Sequence, residues 1–148
     1  MHQFNKINGE PIDYLSYTKD IVKNFPSVEI HVGTDSYLLN DNTRYVTAIA
    51  FRFNKAGVHY IYTKKKFPRI KDNWERLWRE TELSVDIARQ LEKQKVKIEI
   101  DMDYNSDENH RSNKLISATK GWANSLGYKV NVKPNNQIAT RAADHHCK

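Results

Sequence analysis

Residues 96–103, VKIEIDMD, alternate without a break. Val96, Ile98, Ile100 and Met102 fall on one side of a strand, and Lys97, Glu99, Asp101 and Asp103 on the other. Segments of helical spacing flank this strand. Over 73–94, Leu77, Ser84, Ile87, Ala88 and Leu91 share one face behind a cap at Asp72 or Asn73. Over 110–126, Leu115, Ala118, Thr119, Trp122 and Leu126 share a face, and Gly127 is placed to end the helix. Strand–helix–strand succession predicts parallel pairing and excludes all-helical and all-β folds. Upstream, residues 28–36 (VEIHVGTDS), 44–53 (RYVTAIAFRF) and 58–63 (VHYIYT) read as three strands. Their short connections, with a hairpin turn from Asn54 to Gly57, imply an antiparallel meander. Residues 128–132 (YKVNV) form a fifth strand before Pro134, and 137–147 a last short helix. The expected fold is α/β: a five-stranded mixed sheet, in the order β-β-β-α-β-α-β-α, with helices packed on it.

Residues 1–27 read as an N-terminal helical appendage to a domain at 28–148. Asn8-Gly9 punctuates the appendage, Pro11 suits the first position of a helix, and Pro26 stops it. Tyr14, Leu15, Tyr17, Ile21, Val22 and Phe25 would pack on the main body. No apolar run approaches the roughly 20 residues needed to cross a bilayer. No secretory leader is visible in MHQFNKINGE, and the single Cys147 forms no internal disulfide. A cytoplasmic setting is therefore expected.

The formal charge is +6, from 24 Lys plus Arg against 18 Asp plus Glu. That excess favours anionic partners, nucleic acid first. Cations concentrate in 64–71 (KKKFPRIK), where Lys64, Lys65, Lys66 and Arg69 surround Phe67 and could track a phosphate backbone. A solvated loop before the first long helix explains the run equally well. Trp74 and Trp78 are expected to pack against the core or a neighbouring helix rather than to stack on bases.

Against this basic background the acids at 101–108 (DMDYNSDE) direct attention to a metal site. Asp35 ends the first long strand, where α/β sheets place their sites. Glu80 is the most telling acid. At 100° per residue from Leu77 it falls at about 300°, between Ile87 at about 280° and Leu91 at about 320°, whereas Glu82 falls at about 140°. A carboxylate inside an apolar stripe needs a partner. That partner is either a cation such as Arg76 or Arg79, or a metal. Asp101 and Asp103 share one strand face and can both reach an ion, although a solvated edge explains Asp101 as well. Asp144 lies near the C-terminus. Four carboxylates gathered in one place repel one another unless divalent cations join them. Hard oxygen donors favour Mg²⁺ or Mn²⁺, and two such ions about 4 Å apart suit in-line attack on a phosphodiester.

The ordered set of Asp35, Glu80, Asp103 and Asp144, on elements in this order, resembles the four-carboxylate site of the ribonuclease H-like superfamily. More closely, the chain resembles its YkuK-like branch, through Val32-Gly33-Thr34-Asp35-Ser36, residues 76–88 (RLWRETELSVDIA), 100–105 (IDMDYN) and 133–148 (KPNNQIATRAADHHCK). The resemblance implies nuclease or strand-transfer chemistry with two Mg²⁺ or Mn²⁺ ions. Asp35 would bridge both ions, Glu80 and Asp103 would hold the first and Asp144 would complete the second. Asp101 would be an added ligand or a competitor. Lys133, Arg141 and Lys148, near this site, would hold the scissile phosphate. The substrate class (RNA, DNA, hybrid or junction) stays open, and a junction cutter would have to be a homodimer to make paired cuts.

Two other readings compete. One is a catalytically inactive nucleic-acid-binding protein with the same fold, the basic run carrying its function. The other takes Asp101-Met102-Asp103 as the metal motif of a sugar-nucleotide transferase, against which the missing nucleotide-binding half argues. His145, His146 and Cys147 invite a zinc site, but adjacent residues share one tetrahedral ion poorly. A histidine beside Asp144 would more readily pass a proton to a leaving group. No Gly-rich phosphate loop or GxSxG elbow is present.

Overall fold

Strand β3 (Glu29–Leu38) is the spine of the molecule. Its even-numbered residues Ile30, Val32, Thr34 and Ser36 face one side of the sheet and His31, Gly33 and Asp35 the other. The computed structural model describes residues 3–54, 57–105, 110–133 and 137–147, with residues 103–105, 110–113, 115 and 133 described by backbone position alone. β3 pairs antiparallel with β4 (Asn42–Arg52), which pairs antiparallel with β5 (Val58–Pro68). On its other edge β3 runs parallel to β6 (Ile98–Asn105), and β6 parallel to β7 (Lys129–Lys133). Among the described residues no helix is long and apolar enough to cross a membrane.

Among the described residues the sheet has seven strands, not the expected five. The two extra strands, β1 (Phe4–Asn5) and β2 (Pro11–Ile12), form a hairpin on the outer edge of β5. Asn8-Gly9 is its turn, with Gly9 at a φ of 91° that an L side chain rarely adopts. Pro11 thus sits in an edge strand, where its missing N–H costs little, and does not open a helix. Helix α1 (Tyr14–Asn24) starts later, its Leu15 N–H capped by the Asp13 carboxylate. Tyr14 is buried in the core and Leu15, Tyr17, Ile21 and Val22 pack against it.

β5 also runs five residues beyond its expected end at residue 63. Residues 64–68 are strand because Val46 to Asn42 of β4 offer a full ladder of partners. The basic run is therefore not a loop. Its side chains alternate across the sheet, Lys64 and Lys66 to one face, Lys65 and Phe67 to the other.

The two faces are covered differently. Helix α2 (Asn73–Glu92), capped by Asp72, lays Leu77, Val85, Ile87, Ala88 and Leu91 onto Ile30, Val32, Ile49 and Ile100. Helix α3 (His110–Ser125) joins this apolar layer through Ile116 and Ala123. The opposite face carries the short α4 (Ile138–His145) on a small cluster of Val46, Ala48, Ala142, Ala143 and Cys147.

Candidate functional site

Glu80 comes to the end of β3 through a serine. Ser36 Oγ donates to Glu80 Oε2 at 2.5 Å and accepts from Arg76, whose Nη2 lies 2.9 Å away. The Arg76 guanidinium also donates to the Ser36 carbonyl at 3.1 Å. One turn of α2 is thereby fastened to the strand end, with Glu80 held half-buried. Arg79, the other cation considered for Glu80, lies over the Phe67 ring with 4.8 Å to the centroid. Sequence reasoning missed Ser36, whose only signal was its place directly after Asp35.

Asp35 is on the opposite face of β3, and one of its oxygens accepts from the Ser36 N–H at 2.9 Å. Cross-strand register sets Asp35, Val46 and Lys64 in one row on the α4 side. Cys147 lies buried beneath that row's helix cover. Its thiol pKa is pushed up, first by burial and then by the charges of Asp35, Asp144 and Glu80, while Lys64 acts against them. The charges of three of the expected acids and one of the expected lysines thus all bear on this thiol. Among the described residues no three of these carboxylates bring one oxygen each within 4.8 Å of the others. Asp144 is exposed on α4. Asp103 is a β6 strand position whose side chain lies outside the described residues.

Asp101 is placed differently. It is 1% exposed, beneath α4. One oxygen accepts from Asn131 Nδ2 at 2.9 Å and faces His31 Nδ1 at 3.0 Å, and the other accepts from the Ala139 N–H at 2.8 Å. Strict alternation identified its face, but not that a helix covers that face, so the solvated-edge reading of Asp101 is corrected. Helix α4 can sit so low because position 33 is glycine. A Cβ there would stand 2.9 Å from the Thr140 backbone nitrogen. On the far side of the ring, His31 Nε2 faces Glu29 Oε1 at 3.0 Å. Burial opposes a charge on His31, but its hydrogen bonds to Asp101 and Glu29 outweigh this and raise its pKa.

A protein-family model described as ribonuclease H-like matches residues 16–148. The chain belongs to this ribonuclease H-like family. No curated protein sequence matches it. Among solved structures, the N-terminal RNase H domain of Rv2228c from Mycobacterium tuberculosis is 15% identical, with a TM-score of 0.41 over 80% of this chain and 96% of that one. RNase H1 from Halobacterium salinarum is 13% identical, with a TM-score of 0.37 over 79% and 98%. LC11-RNase H1, solved with an RNA/DNA hybrid, is 13% identical, with a TM-score of 0.34 over 82% and 100%.

Within this ribonuclease H-like domain the cations fall on several surfaces. Lys64 and Lys66 are exposed on the α4 side of β5, with Arg44 opposite Lys66. Lys65 is half-buried on the other face. Arg69 turns back to donate to the Leu39 carbonyl at 2.9 Å. Arg141 is exposed on α4, and Lys148 lies outside the described residues. His146 stacks on Tyr62 with 3.7 Å between ring centroids, and its Nε2 lies 2.8 Å from the Tyr60 hydroxyl. That packing, and the burial of Cys147, leave His145, His146 and Cys147 without a shared metal geometry among the described residues. Trp78 packs on Trp122 of α3, their rings 5.3 Å apart, yet it is 38% exposed and Trp74 is 43% exposed.

Proposed function

We propose that this chain is a divalent-metal-dependent nuclease that hydrolyses phosphodiester bonds, of the YkuK-like branch, with residues 28–148 as its working domain. The observation that carries the reading is Ser36, whose N–H donates to Asp35 and whose Oγ donates to Glu80, so that both carboxylates are held at one strand end, with Asp144 on the helix that covers the Asp35 face. These three are carboxylates from one strand and two helices, on a chain whose net charge is positive. Their oxygens are hard donors, so the donor set fits Mg²⁺ or Mn²⁺. Asp35, Glu80, Asp103 and Asp144 would hold two such ions. Bound there, the ions would supply activation of water and stabilisation of the leaving oxygen.

The chain's own residues do the positioning. Ser36 and Arg76 fix the orientation of Glu80, so its carboxylate need not be ordered when substrate arrives. Asp101 holds the first turn of α4 and thereby the helix that carries Asp144. Lys64 and Lys66 line the exposed face of β5 next to the Asp35 row, and Arg141 projects from α4. They would contact backbone phosphates of RNA, DNA or a hybrid. Asp35→Asn should abolish cleavage of labelled hybrid, single strands, duplex or four-way junction in Mn²⁺, with EDTA as control and with the fold intact. Full activity in that variant would refute the assignment.

A second reading, binding without turnover, is favoured by one observation. Among the described residues Asp35, Glu80 and Asp144 do not bring one oxygen each within 4.8 Å of the others. Salt-sensitive binding with no Mn²⁺-dependent cleavage of any of those substrates would establish it.

A further inference from the structure

A second group of metal-ligating side chains lies at the other end of the same strands. Glu29 and His31 start β3, and Glu99, at the start of β6, is in parallel register with His31. One donor atom from each lies within 4.8 Å of the others. The group is built around an imidazole, and that imidazole is 0% exposed. Its Nδ1 is engaged by Asp101, a residue outside the group. Its Nε2 faces Glu29 Oε1 at 3.0 Å, and a cation there would take the place of the proton in that hydrogen bond. A carboxylate on one ring nitrogen, fixing the other toward a cation, is the outer-shell arrangement that metal-binding histidines use. Glu99 is held as well. Its Oε1 accepts from Asn131 Nδ2 at 3.0 Å, with Lys129 Nζ at 3.7 Å.

The spacing suits a small ion. Donors on a tetrahedral Zn²⁺ with bonds of about 2.0–2.1 Å stand about 3.3 Å apart. His31 Nε2 and Glu29 Oε1 are already 3.0 Å apart. Glu99 is in register with His31 on the adjacent strand, with a donor atom within 4.8 Å of the other two. Charge points the same way. Three carboxylates (Glu29, Glu99 and Asp101) meet one histidine and one exposed lysine, which leaves room for a cation. One nitrogen and two oxygens form a borderline donor set, which prefers Zn²⁺ to Mg²⁺.

We propose that Glu29, His31 and Glu99 form a Zn²⁺ site, separate from the Asp35 site, with Asp101 as its outer-shell partner. Asp101 also accepts from the Ala139 N–H, so the same carboxylate touches both the metal-bearing histidine and the first turn of α4. An ion at His31 therefore stiffens the mount of the helix that carries Asp144. The proposal does not depend on the nuclease reading.

The test is calorimetric titration of the metal-stripped full chain with Zn²⁺, run in an Asp35→Asn/Asp144→Asn background to silence the other acids. The expected result is one equivalent bound. Affinity should fall at least tenfold in Glu29→Gln and in Glu99→Gln, both of which keep the side-chain shape. Circular dichroism on each variant checks the fold, and X-ray absorption at the zinc edge should show a single imidazole. Absence of stoichiometric binding would overturn the proposal. So would binding that survives both glutamine variants, or binding that is lost instead in His145→Ala, which would move the ion to the C-terminus.

Discussion

The two faces of the sheet hold their helices by different physics. On the α2 face the contact is apolar and deep, with Leu91, Ile87 and Ala88 against Ile30, Val32 and Ile100. The polar exception is a short row in which Thr34 bonds both Thr47 and Ser84. On the α4 face the apolar cluster is small, and the helix is seated by Asp101, by Gln137 donating to the Asn131 carbonyl, and by the missing side chain at Gly33. Burial of apolar area tolerates small shifts, because its energy changes smoothly with area. A hydrogen bond to a helix N-terminus and a seat that leaves no space for a Cβ at position 33 do not. The acids come from both regimes: Glu80 from the apolar face, Asp35 and Asp144 from the polar one, with Ser36 donating to Asp35 through its N–H and to Glu80 through its hydroxyl.

The largest effect is expected where the two regimes meet. Asp35→Asn should lower cleavage by roughly 100-fold or more, since losing even an outer-shell partner costs about 10–100-fold. Thermal melting should be nearly unchanged. On the α2 face, Leu91→Ala should cost about 2–5 kcal/mol by urea denaturation, with activity retained in the fraction that stays folded. Gly33→Ala attacks the α4 face instead. The added methyl meets Thr140 and Ala139, and the variant should lose about 1–3 kcal/mol. Its cleavage rate should also fall even when fully folded, because α4 and Asp144 are displaced. Equal losses of activity per folded molecule in the two variants would erase the contrast.

The smallest effect is a slope with pH. On the α2 face His59 lies beside the Tyr17 hydroxyl and the Phe51 ring. Burial and then Lys6 lower its pKa. Below about pH 6.5 the unfolded chain therefore binds a proton that folded His59 resists. Stability should fall as pH drops from that value toward the lowered folded pKa. His59→Gln should flatten this part of a melting-temperature profile measured between pH 5 and 8, and an unchanged slope would remove His59 from the account.

The long periodic segments were readable before any coordinates. The alternation in 96–103 located β6, and the stripe around Leu77 and Leu91 located α2 and marked Glu80 as an acid out of place. Short or doubly determined segments were not readable. The two-residue strands β1 and β2 are too brief to carry a period, and they exist because β5 has an open edge. Residues 64–68 look like a solvated loop by composition, yet pairing with β4 makes them strand. Trp74 and Trp78 read as packing residues, and each keeps over a third of its surface exposed. At the site, the acids could be named from residue type and order. The roles of Ser36 and Gly33 could not, because each acts through a contact with a distant element.

Taken alone, the sequence determined the class of fold and the order of its main elements, because hydrophobic period is a local property that a single strand or helix displays. It also supplied the acids, as chemical identity is local too. Only the tertiary structure decided which face of each strand a helix covers. It thereby made Asp101 a buried mount for α4 and set Glu29, His31 and Glu99 side by side, since burial and proximity belong to pairs of elements and no one segment encodes them.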